Sequence, residues 1–347
     1  YRLIIMNIKI QKTLAKRLPP QNISKKDNQL FEKEYYKLIP SSKVKKLKNI
    51  YVSDSKLKKF RYFRFNIKHW RMNPVKINSK IRFFLQDVLT FIKTGTSSEV
   101  IKINKGTWII DSRSNQYFHW LTDAMQRLNV SSEFHEKYPI LLTANFENLD
   151  FIKDTLKLLN KEYIILEQDK EYLIKEFILS ERVSPAGNYK KEIIMDVSNV
   201  LKKSIDNNNL NKQFEKVWIS RQSAPKRKIS NFEIIKPILI NNGFKILEYE
   251  KLTLEMQISI SNNCKVLGGI HGAGLTNMLF MNKGCSLIEV RAEGDAKNNC
   301  FFSLASDLEM KYYYFLARPV NNDFYSGDYE IDSDSFNKFL NSLKVGD

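Results

Sequence analysis

Ten residues, Gly268-Gly269-Ile270-His271-Gly272-Ala273-Gly274-Leu275-Thr276-Asn277, carry the pattern most able to do chemistry. They follow an apolar run that reads as a strand, Lys265–Gly268, and open a segment that reads as a short helix. Glycine tolerates positive φ and lets a ligand approach the backbone closely. Unpaired amides at a helix start, reinforced by the helix dipole, favour an anion, and a diphosphate is the natural occupant. The order is not Gly-x-Gly-x-x-Gly and no Lys-Ser/Thr pair follows, which argues against dinucleotide and ATP sites. The plain alternative is a tight strand–helix turn that holds no ligand. Within it, His271 can donate to a phosphate or leaving group, or cap the local backbone.

Two further segments carry candidates. Ser220-Arg221-Gln222-Ser223-Ala224-Pro225-Lys226-Arg227-Lys228-Ile229-Ser230-Asn231 follows another strand. Its Arg221 and Arg227 are suited to fork onto diphosphate oxygens, although basic loops are commonly only solvated. His119 and Asp123 lie four apart and share one face of a helix. Either can take a proton, or one can orient the other, while Asp123 can also serve the helix dipole alone. Glu289, at a predicted strand end, suits ribose hydroxyls or a neighbouring cation. Asn277 suits the donor or a local cap.

The elements that must position these residues alternate. Strands are predicted at 107–110, 139–142, 163–166, 216–220, 244–247, 265–268, 286–290 and 312–315, with helical stretches between most of them. Asn231 is expected to cap a helix running to Asn241 with Pro237 inside it, and Gly243 to end it. This is an α/β pattern with doubly wound sheets. The expected domains are 1–190, an acceptor-side domain whose first 105 residues show only short strands and irregular connections, and 191–330, a nucleotide-sugar-binding domain. Breaks are marked by Asn73-Pro74 and by the helix end at 206–209. A helix in 331–347 is expected to pack back on the N-terminal domain, with Asp332-Ser333-Asp334 as its cap rather than a metal site.

Composition bounds the function. The 347 residues carry 43% hydrophobic and 12% aromatic side chains, enough for packed cores. Lys+Arg is 56 against Asp+Glu 38, a formal charge of +18, which favours an anionic partner. Abundant Lys, Asn and Ile also fit an AT-rich coding bias. Three cysteines without a Cys/His cluster argue against a disulfide framework and a zinc site. No apolar run approaches the ~18 residues of a membrane span, and the first ten residues make a poor signal segment. A cytoplasmic protein, peripheral on the inner membrane face through its basic patches, is the expectation.

In combination, Ser220-Arg221…Arg227-x-Ile229-x-Asn231, Leu252-Thr253-x-x-x-Gln257, Gly269-x-His271-Gly272-Ala273-Gly274-Leu275-Thr276-Asn277-x-Leu279-Phe280 and Ile288-Glu289-Val290 resemble glycosyltransferase family 61. Asn115-x-x-Phe118-His119-Trp120-Leu121-x-Asp123-x-x-x-Arg127-Leu128 resembles that family's N-terminal motif; Gln126 stands where the family often has Pro. The resemblance covers about 107–316. It implies a GT-B-like fold, two Rossmann-like domains facing a cleft, and an inverting transferase with a UDP-linked or similar sugar nucleotide as co-substrate. It further implies no metal, no other cofactor, and a glycan or lipid-linked glycan acceptor of capsule or surface polysaccharide. On that footing the donor site comprises Arg221, Arg227, Gly269, His271, Gly272, Ala273, Gly274, Asn277 and Glu289, and the base is Asp123 or His119. A nucleic-acid-binding protein lacks its recognition signatures here, so nucleic acid is not an expected partner. A nucleotide-sugar epimerase or dehydrogenase lacks its dinucleotide fingerprint.

Overall fold

A computed structural model describes residues 4–53, 56–60, 63–64, 99–205, 214–320, 323–324 and 326–343. The Asn73-Pro74 break and the helix end at 206–209 lie outside the described residues. The described strands are β1 (Ile4–Ile10), β2 (Thr13–Lys16), β3 (Tyr36–Ile39), β4 (Ser42–Ser53), β5 (Lys56–Phe60), β6 (Phe63–Arg64), β7 (Val100–Trp108), β8 (Ile140–Thr143), β9 (Tyr163–Leu166) and β10 (Glu171–Ser180). They continue with β11 (Lys216–Ile219), β12 (Phe244–Leu247), β13 (Val266–Ile270), β14 (Ser286–Ala292), β15 (Lys311–Pro319) and β16 (Tyr329–Glu330). The chain divides into two compact units, Tyr1–Lys12 with Pro40–Ala186, and Thr13–Ile39 with Gly187–Asp347.

The first unit is a mixed sheet in the order β6-β5-β4-β10-β7-β8-β9, with β1 paired to β4. Strands β7 to β10 run parallel, whereas β4 is antiparallel to β10 and to β1. Buried runs such as Ile140–Thr143 are the apolar strands that helices cover in α/β folds. The long antiparallel β4 was hidden by its lysines. Those on its half-buried positions are neutralised: Lys46 Nζ lies 2.8 Å from Glu176, and Lys45 meets Glu181.

The second unit holds a six-stranded sheet, β12-β11-β13-β14-β15-β16, parallel except for β16. The strand order reverses between β11 and β13. In open α/β sheets that switch point opens a crevice at the strand C-terminal ends. Gly268 packs there because the Trp218 indole lies 2.7 Å from where a Cβ would stand. The 13–39 segment belongs to this unit: Arg17 pairs Asp307 at 2.9 Å and Phe31 stacks edgewise on Phe302.

The C-terminal helix, Ser333–Ser342, starts on Asp332, whose carboxylate accepts from the Ser335 amide at 2.9 Å, the cap its sequence suggested. It packs on its own unit. Phe336 meets Trp218 and Phe315 at 5.8 and 5.0 Å between ring centroids, because Phe336, Phe339 and Leu340 form one apolar stripe. Asn231 does not cap the helix Phe232–Asn241 with its side chain; its amide bonds the Ile331 backbone both ways, at 2.7 and 3.2 Å, and so ties down the tail.

Phe336→Ala removes a wholly buried ring and is expected to cost about 3–5 kcal/mol. A urea midpoint that stays at the wild-type value would contradict this packing.

Candidate functional site

The Arg221 loop and the Gly-rich turn follow β11 and β13, the two strands that flank the switch point. They meet directly. Arg221 lies so close to Gly272 that a Cβ there would stand 2.7 Å from its Nη1. Arg227, in the left-handed region at φ 58°, donates Nη1 to the His271 carbonyl at 3.1 Å. Arg221 donates Nη2 to the Lys226 carbonyl at 3.2 Å. The loop holds its shape because Gln222 exchanges hydrogen bonds with the Ile229 backbone, at 3.0 and 3.2 Å. Among the described residues neither guanidinium has a carboxylate within ion-pair distance. Burial, then the charge of Arg227, pushes the Arg221 pKa down. An anion bound beside it would act in the opposite direction and favour the charged form.

The glycines act through space rather than through positive φ, since none of Gly268, Gly269, Gly272 and Gly274 lies in the left-handed region. β13 runs on to Ile270, so Gly268 and Gly269 are strand residues. Gly269 faces the Ile219 carbonyl, and Gly274 faces the Ile219 side chain. Only Gly272, Ala273 and Gly274 present amides at the start of the 3-10 helix Ala273–Phe280. The His271 amide is spent on Val290 O at 2.8 Å. Asn277 is buried and donates to Gly274 O at 2.9 Å, which holds the first turn together.

Glu289 differs from its sequence assignment to ribose. β14 continues to Ala292, so Glu289 is an interior strand residue and is wholly buried. Its carboxylate takes His271 Nδ1 and the Tyr312 hydroxyl, the latter at 2.6 Å. Behind it, Arg291 donates to Asn299 Oδ1 at 2.9 Å and to Asp295 O at 2.6 Å. Burial opposes the Arg291 charge, and Tyr312 and Glu289 outweigh it and raise its pKa. Phe301 packs edgewise on the His271 ring at 5.0 Å. The imidazole is therefore fixed, with Nε2 its remaining polar atom.

In the first unit, His119 and Asp123 come together in a helical segment broken by a π-turn at Trp120–Ala124. Such single turns recur at functional sites because they insert a residue into the helix. His119 Nδ1 lies 2.7 Å from Asp123 Oδ2, and Arg182 Nη1 donates to the same oxygen at 2.7 Å. Arg182 also grips Asp111, and Arg127 Nη1 lies 3.5 Å from Asp111. Burial works against the Asp111 charge, and Arg127 and Arg182 overcome it, holding its carboxyl below the ordinary value. Burial lowers Arg127 to about 10. Asp111 and Arg182 follow β7 and β10, adjacent parallel strands, at their C-terminal ends. Sequence reasoning missed both, along with Tyr312. A charged residue just beyond an apolar strand, the signal that picked Arg221, marks Asp111 and Arg182 too. Gln126 closes the turn by donating to Thr122 O at 2.6 Å.

The second unit is thus a parallel α/β body with paired cations and helix-start amides at its switch point, an arrangement of the anion-binding class. The Glycosyltransferase 61 family model matches residues 117–288, and the chain carries that family's region. A stretch of 90 residues is 30% identical to the EGF domain-specific O-linked N-acetylglucosamine transferase of Drosophila melanogaster. That covers 25% of this chain and 17% of the relative's length. Among the described residues no helix is long and apolar enough to cross a membrane.

Arg182→Met would leave buried Asp123 without its guanidinium and Asp111 with Arg127 alone, and about 3–5 kcal/mol of stability should be lost. Urea denaturation checks it; a loss below about 1 kcal/mol would mean the network is not held as described.

Proposed function

We propose that the chain is an inverting glycosyltransferase that moves a sugar from a UDP-linked donor to a glycan or lipid-linked glycan acceptor of surface polysaccharide, on a GT-B fold. The observation that carries this is the guanidinium pair, Arg221 and Arg227, beside helix-start amides and, among the described residues, without a carboxylate within ion-pair distance. A leaving diphosphate has the charge and the oxygens to complete it. The relative's name points to N-acetylglucosamine as the sugar to test first.

In this reading the second unit binds the donor and the first removes the acceptor proton. The lone pair of His119 Nε2 takes the hydroxyl proton while Asp123 accepts from Nδ1–H and fixes the ring. His119 fills the base role better than Asp123, whose Oδ2 is engaged twice and which is 2% exposed. The acceptor oxygen then attacks the anomeric carbon from the face opposite the bond to the β-phosphate oxygen, and that bond breaks with inversion. The negative charge reaching the diphosphate meets Arg221, Arg227 and the amides of Gly272, Ala273 and Gly274. An imidazolium at His271, held through Nδ1 by Glu289, adds a donor from Nε2. Protein cations do here the work that a divalent ion does in other transferases.

UDP should raise the melting temperature, with GDP and CMP weaker. Arg221→Ala or Arg227→Ala should weaken UDP binding about 10- to 100-fold, the worth of one or two charge-assisted hydrogen bonds. His119→Ala should leave UDP affinity unchanged and lower kcat about 10²- to 10⁴-fold. UDP binding that survives both arginine changes removes the donor site, and transfer that survives His119→Ala moves the base elsewhere.

A further inference from the structure

The β2–β3 ribbon stands apart as a two-stranded sheet, and one of its faces is apolar and open. Leu14 pairs Leu38 and Lys16 pairs Tyr36 across the ribbon, so these four side chains share one face. Leu14 is 52% exposed, Leu38 63% and Tyr36 72%, and Leu18, two residues beyond the strand, is 79% exposed. Four of the nine exposed large hydrophobic side chains among the described residues therefore belong to this one ribbon and its exit. Single exposed leucines need no explanation, whereas a contiguous group of them marks a contact surface.

The opposite side of the ribbon is anchored. Ile39 is buried, and Arg17, next to Lys16, is held by Asp307 at 2.9 Å and by Asn188 at 3.1 Å. The open face is thus fixed on a rigid body, and ordering it on contact has little entropic cost. Its surroundings are cationic. Lys12, Lys16, Lys25, Lys26 and Lys33 are exposed along 12–39, against one exposed acid, Glu32. The remaining carboxylates are engaged. Glu34 is shared by Lys37 and Arg17, and Asp27 accepts from Ser24 and Tyr314.

From this we propose that the β2–β3 ribbon docks the protein on an anionic lipid surface, with Leu14, Leu18, Tyr36 and Leu38 entering the headgroup–acyl boundary and the lysines meeting lipid phosphates. Leucine and tyrosine flanked by lysine is the composition that interfacial segments use, since lysine stems lie along apolar surface while their ammonium groups stay in the polar layer. A protein partner would meet the same apolar side chains but has no need of a cationic surround. Docking through one ribbon gives reversible attachment, because stable anchoring takes two membrane signals. The inference stands independently of the proposed transfer reaction.

Vesicle flotation tests it with the full chain. Binding is expected to vesicles of phosphatidylcholine with about one-third phosphatidylglycerol, and to be much weaker with phosphatidylcholine alone. Each lysine near such a surface is worth about fivefold, so Lys12→Ala with Lys16→Ala should weaken binding about 25-fold. Leu14→Glu with Leu38→Glu should abolish flotation while the circular dichroism spectrum and UDP thermal shift stay as in wild type. In a Tyr36→Trp variant, indole emission should shift to the blue with the anionic vesicles alone. The proposal is overturned if the leucine variant floats like wild type, or if the new indole stays in water. It is equally overturned if the leucine change dissolves a dimer seen by sedimentation and leaves flotation intact.

Discussion

Two half-buried guanidinium groups, those of Arg221 and Arg227, sit close together at the end of a parallel sheet, and among the described residues neither has a carboxylate within ion-pair distance. Three buried arginines have partners of their own. Arg17 has Asp307, Arg182 has Asp111 and Asp123, and Arg291 has hydrogen bonds and the Phe31 ring 4.9 Å away. The exception is built at some cost. Arg227 adopts a left-handed backbone that a non-glycine residue rarely takes. A Cβ at position 272 would push the Arg221 guanidinium aside.

The two units support their candidate histidines by the same means. Each histidine rests its Nδ1 on a buried carboxylate that a second group also holds, Asp123 with Arg182 and Glu289 with Tyr312. A carboxylate held twice cannot swing, so the ring it supports keeps one tautomer and one direction. This leaves Nε2 of each ring apart from the group that orients it. The π-turn at Trp120–Ala124 belongs to the same arrangement, because it sits within the helical segment that carries both His119 and Asp123.

Much of the α/β pattern was legible. The strands at 163–166, 216–219 and 244–247 are short apolar runs bounded by turn residues, and local composition decides them. What escaped was set by pairing at long range. β4 carries lysines whose neutralisation by Glu176 and Glu181 comes from β10 and the residue after it, over 120 residues later in the chain. Segment 13–39 joins the second unit through Arg17 and Phe31, contacts that no window of sequence can show. At the site, Arg221, Arg227, His271 and the Gly272–Gly274 amides come together as their motifs suggested. Glu289 did not read correctly, since its strand runs three residues past it and turns a presumed rim carboxylate into a buried one. Asp111 and Arg182 were invisible as a pair because only the parallel alignment of β7 and β10 brings them together.

A crystal structure with UDP bound decides whether a diphosphate completes the Arg221–Arg227 pair. The account predicts both guanidinium groups and the Gly272–Gly274 amides within hydrogen-bond distance of the phosphate oxygens, with His271 Nε2 facing them. A diphosphate bound elsewhere, with Arg221 and Arg227 left as they stand here, would contradict it.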